Sequence, residues 1–144
     1  MVTIPSLLGT TLSGRAFRIP EDLPITPVAL ILGFDHQARH DVKAWKRFFT
    51  ELGVDFFSVP ITPIYIPAEA LSDTARAMKI HTSPKAWESI VMIHKGGAEL
   101  LSAMRWNADH FAKVLLMAGG KVRASHGSGA FTEAAAESFR AIAL

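Results

Sequence analysis

The most informative run of the sequence is VALILGF (Val28–Phe34), in which every position is apolar. A strand that is apolar on both faces is covered on both sides, as in a parallel or mixed sheet. We therefore expect a central strand over 28–34. Residues 38–52 follow with an apolar stripe at helical spacing, and Gly53 is expected to end that helix. A second strand is predicted over Val54–Val59, so the three elements form a βαβ unit with a right-handed crossover.

The remaining elements are predicted outward from this unit. Residues 7–20 have paired glycines between short β-prone stretches, which favours a hairpin or an extended arm. We expect a helix over 67–78, a short buried strand at 90–93, a helix from Gly96 to about Trp106 and a closing helix after Thr132 that runs to Leu144; residues 85–89 are left open. The glycines at 119–120 predict a tight turn between antiparallel strands at 111–117 and 121–126.

Composition favours one domain and excludes several classes of protein. The 144 residues are 49% apolar and 19% charged, enough for a single core. We predict one domain over 1–144, with an N-terminal hairpin or arm at 1–27 and a core at 28–144. The 15 basic and 13 acidic side chains nearly cancel, so nucleic acid is not an expected partner.

The sequence also bears on membranes and compartment. No apolar run approaches the ~20 residues that span a bilayer, so no membrane span is expected. The first residues, Met1–Pro5, have neither a positive region nor a long apolar segment, so no secretory signal is predicted. We expect a cytoplasmic protein, or a periplasmic one if a signal peptide has been removed.

The chain contains no cysteine. Disulfides, thiolate zinc sites, iron–sulfur clusters and cysteine nucleophiles are therefore excluded. Thiol oxidoreductase and peroxidase activities are excluded with them, and no cofactor is predicted.

The order of the predicted elements resembles the thioredoxin-like superfamily, and three stretches carry the likeness. Leu8–Phe17 resembles the opening of peroxiredoxin and other redoxin domains, and Val114–Arg123 resembles their terminal hairpin. Gly33–Trp45 resembles a cysteine-free branch that includes the assembly factor of mitochondrial ATP synthase and bacterial relatives. The resemblance implies an α/β thioredoxin-like fold, with a central mixed sheet of four to five strands, helices on both faces, and the first long helix packed beside the last.

Two departures from the superfamily pattern bear on function. In redox-active members a reactive cysteine follows the first central strand, where the start of the next helix stabilises a thiolate. This chain has Asp35, His36, Gln37 and Ala38 there. Members also tend to place a cis-proline before the terminal hairpin, whereas here Asp109 and His110 precede Phe111. The resemblance therefore implies a noncatalytic protein whose inherited active-site position, Asp35, His36, Gln37 and His40, is used for binding.

Histidine spacing leaves an alternative open. His36 and His40 are four residues apart, so both lie on one helix face and are candidate metal ligands, with Asp35 as a third. Asp35 and His36 are also a candidate acid–base couple. The alternative function is thus an enzyme or metal-binding protein using Asp35, His36 and His40; the simpler interpretation is a solvated loop with surface or capping histidines.

A second candidate surface lies in the proline-punctuated segment Val59–Pro67. If Ile64, Tyr65 and Ile66 are exposed, they form an apolar patch suited to a protein partner. The competing interpretation is a loop folded over the core, because most apolar side chains become buried. The leading hypothesis is therefore protein binding, in assembly or as a chaperone-like factor, and a self-associating oligomer is a third class.

Overall fold

The structure of the chain, a computed structural model, describes residues 3–61 and 68–143. Two short 3-10 helices occupy His36–Ala38 and Pro84–Ser89. Residues 85–89, which the sequence left open, are therefore helical. The strands and longer helices, in chain order, are β1 (Leu7–Thr11), β2 (Ala16–Ile19), β3 (Val28–Gly33), α1 (Arg39–Leu52), β4 (Asp55–Pro60), α2 (Ala68–Ile80), β5 (Val91–Lys95), α3 (Gly97–Met104), β6 (Lys113–Ala118), β7 (Lys121–His126) and α4 (Glu133–Ala143).

The central sheet is mixed and has four strands in the order β4-β3-β6-β7. Strand β3 runs parallel to β4 and antiparallel to β6, and β6 is antiparallel to β7. All side chains of β3 from Val28 to Leu32 are buried. The expectation of an interior strand covered on both faces is confirmed.

A second sheet contains the N-terminal hairpin. Its three strands have the order β2-β1-β5 and pair antiparallel. Two parallel bridges, Ser58 with Ile90 and Ile61 with Ile93, connect β5 and the residue before it to β4 and the residue after it. The N-terminal hairpin is thus joined to the central sheet through β5. This pairing could not be inferred from local sequence.

The core has two layers, one on each side of the central sheet. On one side Ala29 and Ile31 pack with α1 and α4, where the ring of Phe139 lies 5.3 Å from Trp45 and 5.7 Å from Phe49. On the other side Leu30 and Leu32 pack with the second sheet and with α3. Helices therefore cover both faces, and the first long helix packs beside the last, as expected.

Several element boundaries differ from the sequence-based expectation. Helix α3 ends at Met104 instead of Trp106 because Arg105 adopts a left-handed conformation with φ 57°. Strand β6 begins at Lys113 instead of Phe111, since the N–H groups of Phe111 and Ala112 bond to aspartate side chains. Helix α2 extends to Ile80, two residues beyond its predicted end. Within the described residues, no helix combines the length and hydropathy needed to cross a bilayer.

Candidate functional site

The candidate site lies where β3 ends and α1 begins. This is the position at which redox-active members of the thioredoxin-like superfamily are expected to carry a reactive cysteine. Asp35 follows β3, and its side-chain oxygen Oδ1 accepts a hydrogen bond from the backbone N–H of Ala38 at 3.2 Å. The backbone carbonyl of Asp35 also accepts from the Ala38 N–H, at 3.3 Å. Asp35 therefore stabilises the short turn that leads into α1, as a capping residue does.

The second carboxylate oxygen of Asp35 contacts a distant part of the chain. Its Oδ2 lies 2.5 Å from Nδ1 of His110, and the two side chains are 36% and 63% exposed. Pairing of Leu32 with Lys113 between β3 and β6 brings the two segments together. The sequence suggested a couple between Asp35 and His36, whose side chain lies outside the described residues; the described side-chain contact of Asp35 is with His110.

Asp41, in the first turn of α1, connects the site to two further segments. Its Oδ2 accepts a hydrogen bond from the N–H of Ala112 at 2.8 Å, and its Oδ1 accepts one from Phe131 at 2.6 Å. One carboxylate thus holds the loop before β6 and the loop before α4 against α1. Sequence reasoning missed this residue, because an acid in a first helical turn is already favoured by the helix dipole and says nothing of distant donors.

A buried ammonium group supports the loop before β6. The side chain of Lys113 is 1% exposed, and its Nζ donates to Oδ1 of Asp109 and to the carbonyl of Gly127, both at 2.9 Å. The same Asp109 oxygen accepts from the N–H of Phe111. A buried charge requires such partners, because an unpaired ammonium is costly away from water.

These contacts also affect the acidity of Asp109. Partial burial acts to raise its pKa, but the hydrogen bonds from Lys113 and from the Phe111 N–H, with the charges of Lys113 and His110, outweigh burial. The pKa of Asp109 is therefore below its usual value. Asp109 remains ionised at neutral pH beside Lys113.

The residues predicted for this region are only partly brought together. Gln37 and His40 are exposed, and among the described side chains neither is hydrogen-bonded to Asp35 or His110. Phe111, next to His110, is an exposed aromatic residue with 40% of its surface accessible. Asp35 and His110 are in contact and Phe111 is the next residue along the chain, and we call these three residues the acid–imidazole face.

Two predictions involve residues outside the described parts. The side chain of His36 is one of these, so its role as a metal ligand with His40 and Asp35 is not tested. Within 3–61 and 68–143, the described side chains contain no group of three or more histidine, aspartate or glutamate residues placed to hold a metal ion. Ile64, Tyr65 and Ile66 fall in 62–67, also outside the described residues.

The acid–imidazole face has a definite chemistry. An ionised Asp35 can only accept, so its contact favours the tautomer of His110 that carries the proton on Nδ1 and leaves Nε2 facing outward as an acceptor. Without a cysteine the face cannot exchange disulfides. The groups it exposes are capable of hydrogen bonding and charge interactions, and Phe111 adds one aromatic surface.

Comparison with solved structures identifies the fold. The exposed lipoprotein thioredoxin of Streptococcus pneumoniae is 13% identical with a TM-score of 0.59, over 95% of this chain and 98% of that one. A thio-disulfide isomerase of Thermus thermophilus is 15% identical with a TM-score of 0.59, over 98% and 94% of the two chains. The thioredoxin domain of a thiol-disulfide oxidoreductase of Bacteroides vulgatus is 15% identical with a TM-score of 0.57, over 99% and 96%.

These similarities confirm the thioredoxin-like fold and extend no further. No protein-family model and no curated protein matches the sequence. The structural relatives named above are thioredoxins and thiol–disulfide enzymes, whereas this chain has no cysteine. Any activity must therefore be argued from the residues at the site.

Proposed function

We propose that this chain is a noncatalytic thioredoxin-like protein that binds a segment of a partner protein at the acid–imidazole face. The observation that carries the proposal is the contact of Asp35 with His110, at the position where redox-active relatives in the superfamily carry a cysteine. The pair keeps two exposed polar side chains beside Phe111. Exposed polar groups around one aromatic residue are typical of protein interfaces.

The framework around the face supports a binding role. Asp41 holds both neighbouring loops to α1, and buried Lys113 holds Asp109 and Gly127. A surface fixed in this way loses little conformational entropy on binding, which favours affinity. The resemblance of Gly33–Trp45 to the cysteine-free assembly-factor branch favours a role in assembly or as a chaperone-like factor.

The experiment compares three forms of the protein as baits in its native host. They are the wild type, the double variant His110→Ala/Phe111→Ala and the control Ile25→Ala. Ile25 is an exposed apolar residue whose carbonyl accepts from Gly119, at the other end of the sheet. Mass spectrometry would quantify each captured protein.

The proposal predicts a partner that the wild type and Ile25→Ala capture equally and the double variant captures at about one tenth of that yield, a loss typical of removing interface anchors. Identical capture by all three forms would contradict the proposal. Recovery of the bait alone would also contradict it and would favour the self-associating oligomer, which light scattering detects as a concentration-dependent mass.

The alternative, an enzyme or metal-binding protein using Asp35, His36 and His40, has one supporting observation. Asp35 orients the His110 ring, and an oriented imidazole is what a general base requires. Stoichiometric metal in the purified protein, lost in His36→Ala, would favour this alternative over partner binding.

A further inference from the structure

A cavity lies between helix α2 and the three-stranded sheet, with a volume of about 370 Å³. Its apolar part is formed by Leu12, Ala75 and Met92. Leu12 and Met92 are buried, and Ala75 packs against them from α2. The position of the cavity is thus set by the packing of α2 on β1 and β5, and none of its lining residues belongs to the acid–imidazole face.

The polar part of the cavity is basic. Arg76 and Lys79 come from α2 and His94 comes from β5. None of the described residues that line the cavity is an aspartate or a glutamate. Cationic side chains on the wall of a cavity attract an anion, because each charge raises the local concentration of counter-ions.

The existing partners of these basic groups are weak competitors. Nη1 of Arg76 lies 3.9 Å from Asp73, and both side chains are more than three quarters exposed. Such an exposed pair is weak and is easily exchanged for another anion. Nζ of Lys79 lies 5.1 Å from the centre of the Trp87 ring, and in the described part of the chain no carboxylate is within ion-pairing distance of it.

We propose that this cavity binds a small organic anion with an apolar body. The carboxylate, phosphate or sulfonate group is held by Arg76 and Lys79, with His94 opposite. The apolar body lies against Leu12 and Met92. The volume falls at the small end of the range for ligand pockets in proteins, which matches a metabolite rather than a polymer.

The test uses the fluorescent probe 8-anilinonaphthalene-1-sulfonate, an aromatic sulfonate, with N-phenyl-1-naphthylamine as its uncharged analogue. Titrations would be made on the wild type, on Arg76→Gln/Lys79→Gln and on Lys43→Gln/Arg47→Gln. The last variant removes two exposed charges from one face of α1. Circular dichroism would verify that all three proteins are folded.

We expect the wild type and the α1 variant to bind one sulfonate probe per chain with equal affinity, more weakly at higher salt. The α2 variant should bind it at least about tenfold more weakly, and the uncharged analogue should bind all three proteins equally. Equal sulfonate binding by the two variants, tighter binding of the uncharged analogue, or no saturable binding would overturn the proposal. The titration involves neither His110 nor Phe111, and the capture experiment involves neither Arg76 nor Lys79. Either proposal can therefore fail while the other holds.

Discussion

Asp41 illustrates how one side chain organises the site. Its two carboxylate oxygens accept from Ala112 and Phe131, which lie on different loops. Both donors are backbone N–H groups without strand partners at these positions, since β6 begins only at Lys113 and α4 only at Glu133. At the scale of single residues, ionised side chains here replace the hydrogen bonds that regular structure provides elsewhere.

Replacing Asp41 by Ala should therefore destabilise the protein. The N–H groups of Ala112 and Phe131 lose a charged acceptor, and we expect the free energy of unfolding to fall by about 2–3 kcal/mol. Urea denaturation would measure the change. The control Glu51→Ala alters an exposed acid on the same helix and should change stability by less than about 0.5 kcal/mol. Equal losses of stability in the two variants would show that the hydrogen bonds from Ala112 and Phe131 to Asp41 do not stabilise the fold.

Asp109 should give stability a pH dependence of known sign. Its pKa is lower in the folded protein than its ordinary value of 3.8, so folding favours the ionised form. This contribution is present above the unfolded pKa and is lost as the pH falls through the folded pKa. The stability difference between the wild type and Asp109→Asn should then be largest near neutral pH and shrink as the pH falls below about 4.

Urea denaturation at a series of pH values checks this expectation. Asp73→Asn is the control, since Asp73 is 81% exposed and has only a long contact with Arg76. Its stability difference from the wild type should change little with pH. A constant difference for Asp109→Asn across the acid range would show that pairing with Lys113 does not stabilise the ionised carboxylate.

At the scale of elements, the pairing of the N-terminal hairpin with β5 depends on close backbone approach. Gly9 of β1 is buried opposite Ile93 of β5. A Cβ atom at Gly9 would lie 2.5 Å from the carbonyl oxygen of Met92 and 2.9 Å from Cδ1 of Ile93. The two strands pair at this distance because the position has no side chain.

We expect Gly9→Ala to reduce the free energy of unfolding by about 1–3 kcal/mol, the usual cost of overpacking. Gly33→Ala is the matched control in β3, because a Cβ there would be in ordinary contact with Val42 and Ala38 at 3.8 and 3.9 Å. Its stability should stay within about 1 kcal/mol of the wild type, since alanine restricts the unfolded chain. The comparison fails if both variants lose the same stability.

At the scale of the whole molecule, the thioredoxin-like fold is separated from thiol chemistry. The fold depends on buried strands and amphipathic helices, and none of these requires sulfur. Electron exchange requires a thiolate, which this chain lacks. Shared architecture and different chemistry are expected together, since function resides in the site and not in the scaffold.

This separation predicts the outcome of a reductase assay. Added to insulin and dithiothreitol, the protein should leave the rate of disulfide reduction at the rate of dithiothreitol alone. A cysteine-containing thioredoxin would serve as the positive control. A rate above the background that increases with protein concentration would contradict the inference.

The sequence by itself determined the elements and the absence of thiol chemistry. The apolar run at 28–34, the helical stripe of 38–52 and the glycine turn at 119–120 act through neighbours on the same strand, helix or turn, so local pattern is enough to predict them. The order of these elements then indicated the sheet type and the helices on both faces.

Only the tertiary structure decided the composition of the site and of the second sheet. Asp35 contacts His110, and Asp41 bonds to Ala112 and Phe131, across 75, 71 and 90 positions of the chain. The superfamily resemblance drew attention to the loop that contains Asp35 and to the loop that contains His110. It did not predict that the two side chains are in contact. Hydrophobic periodicity reports which face of an element is buried, whereas a polar contact between distant loops depends on where the whole sheet places their ends.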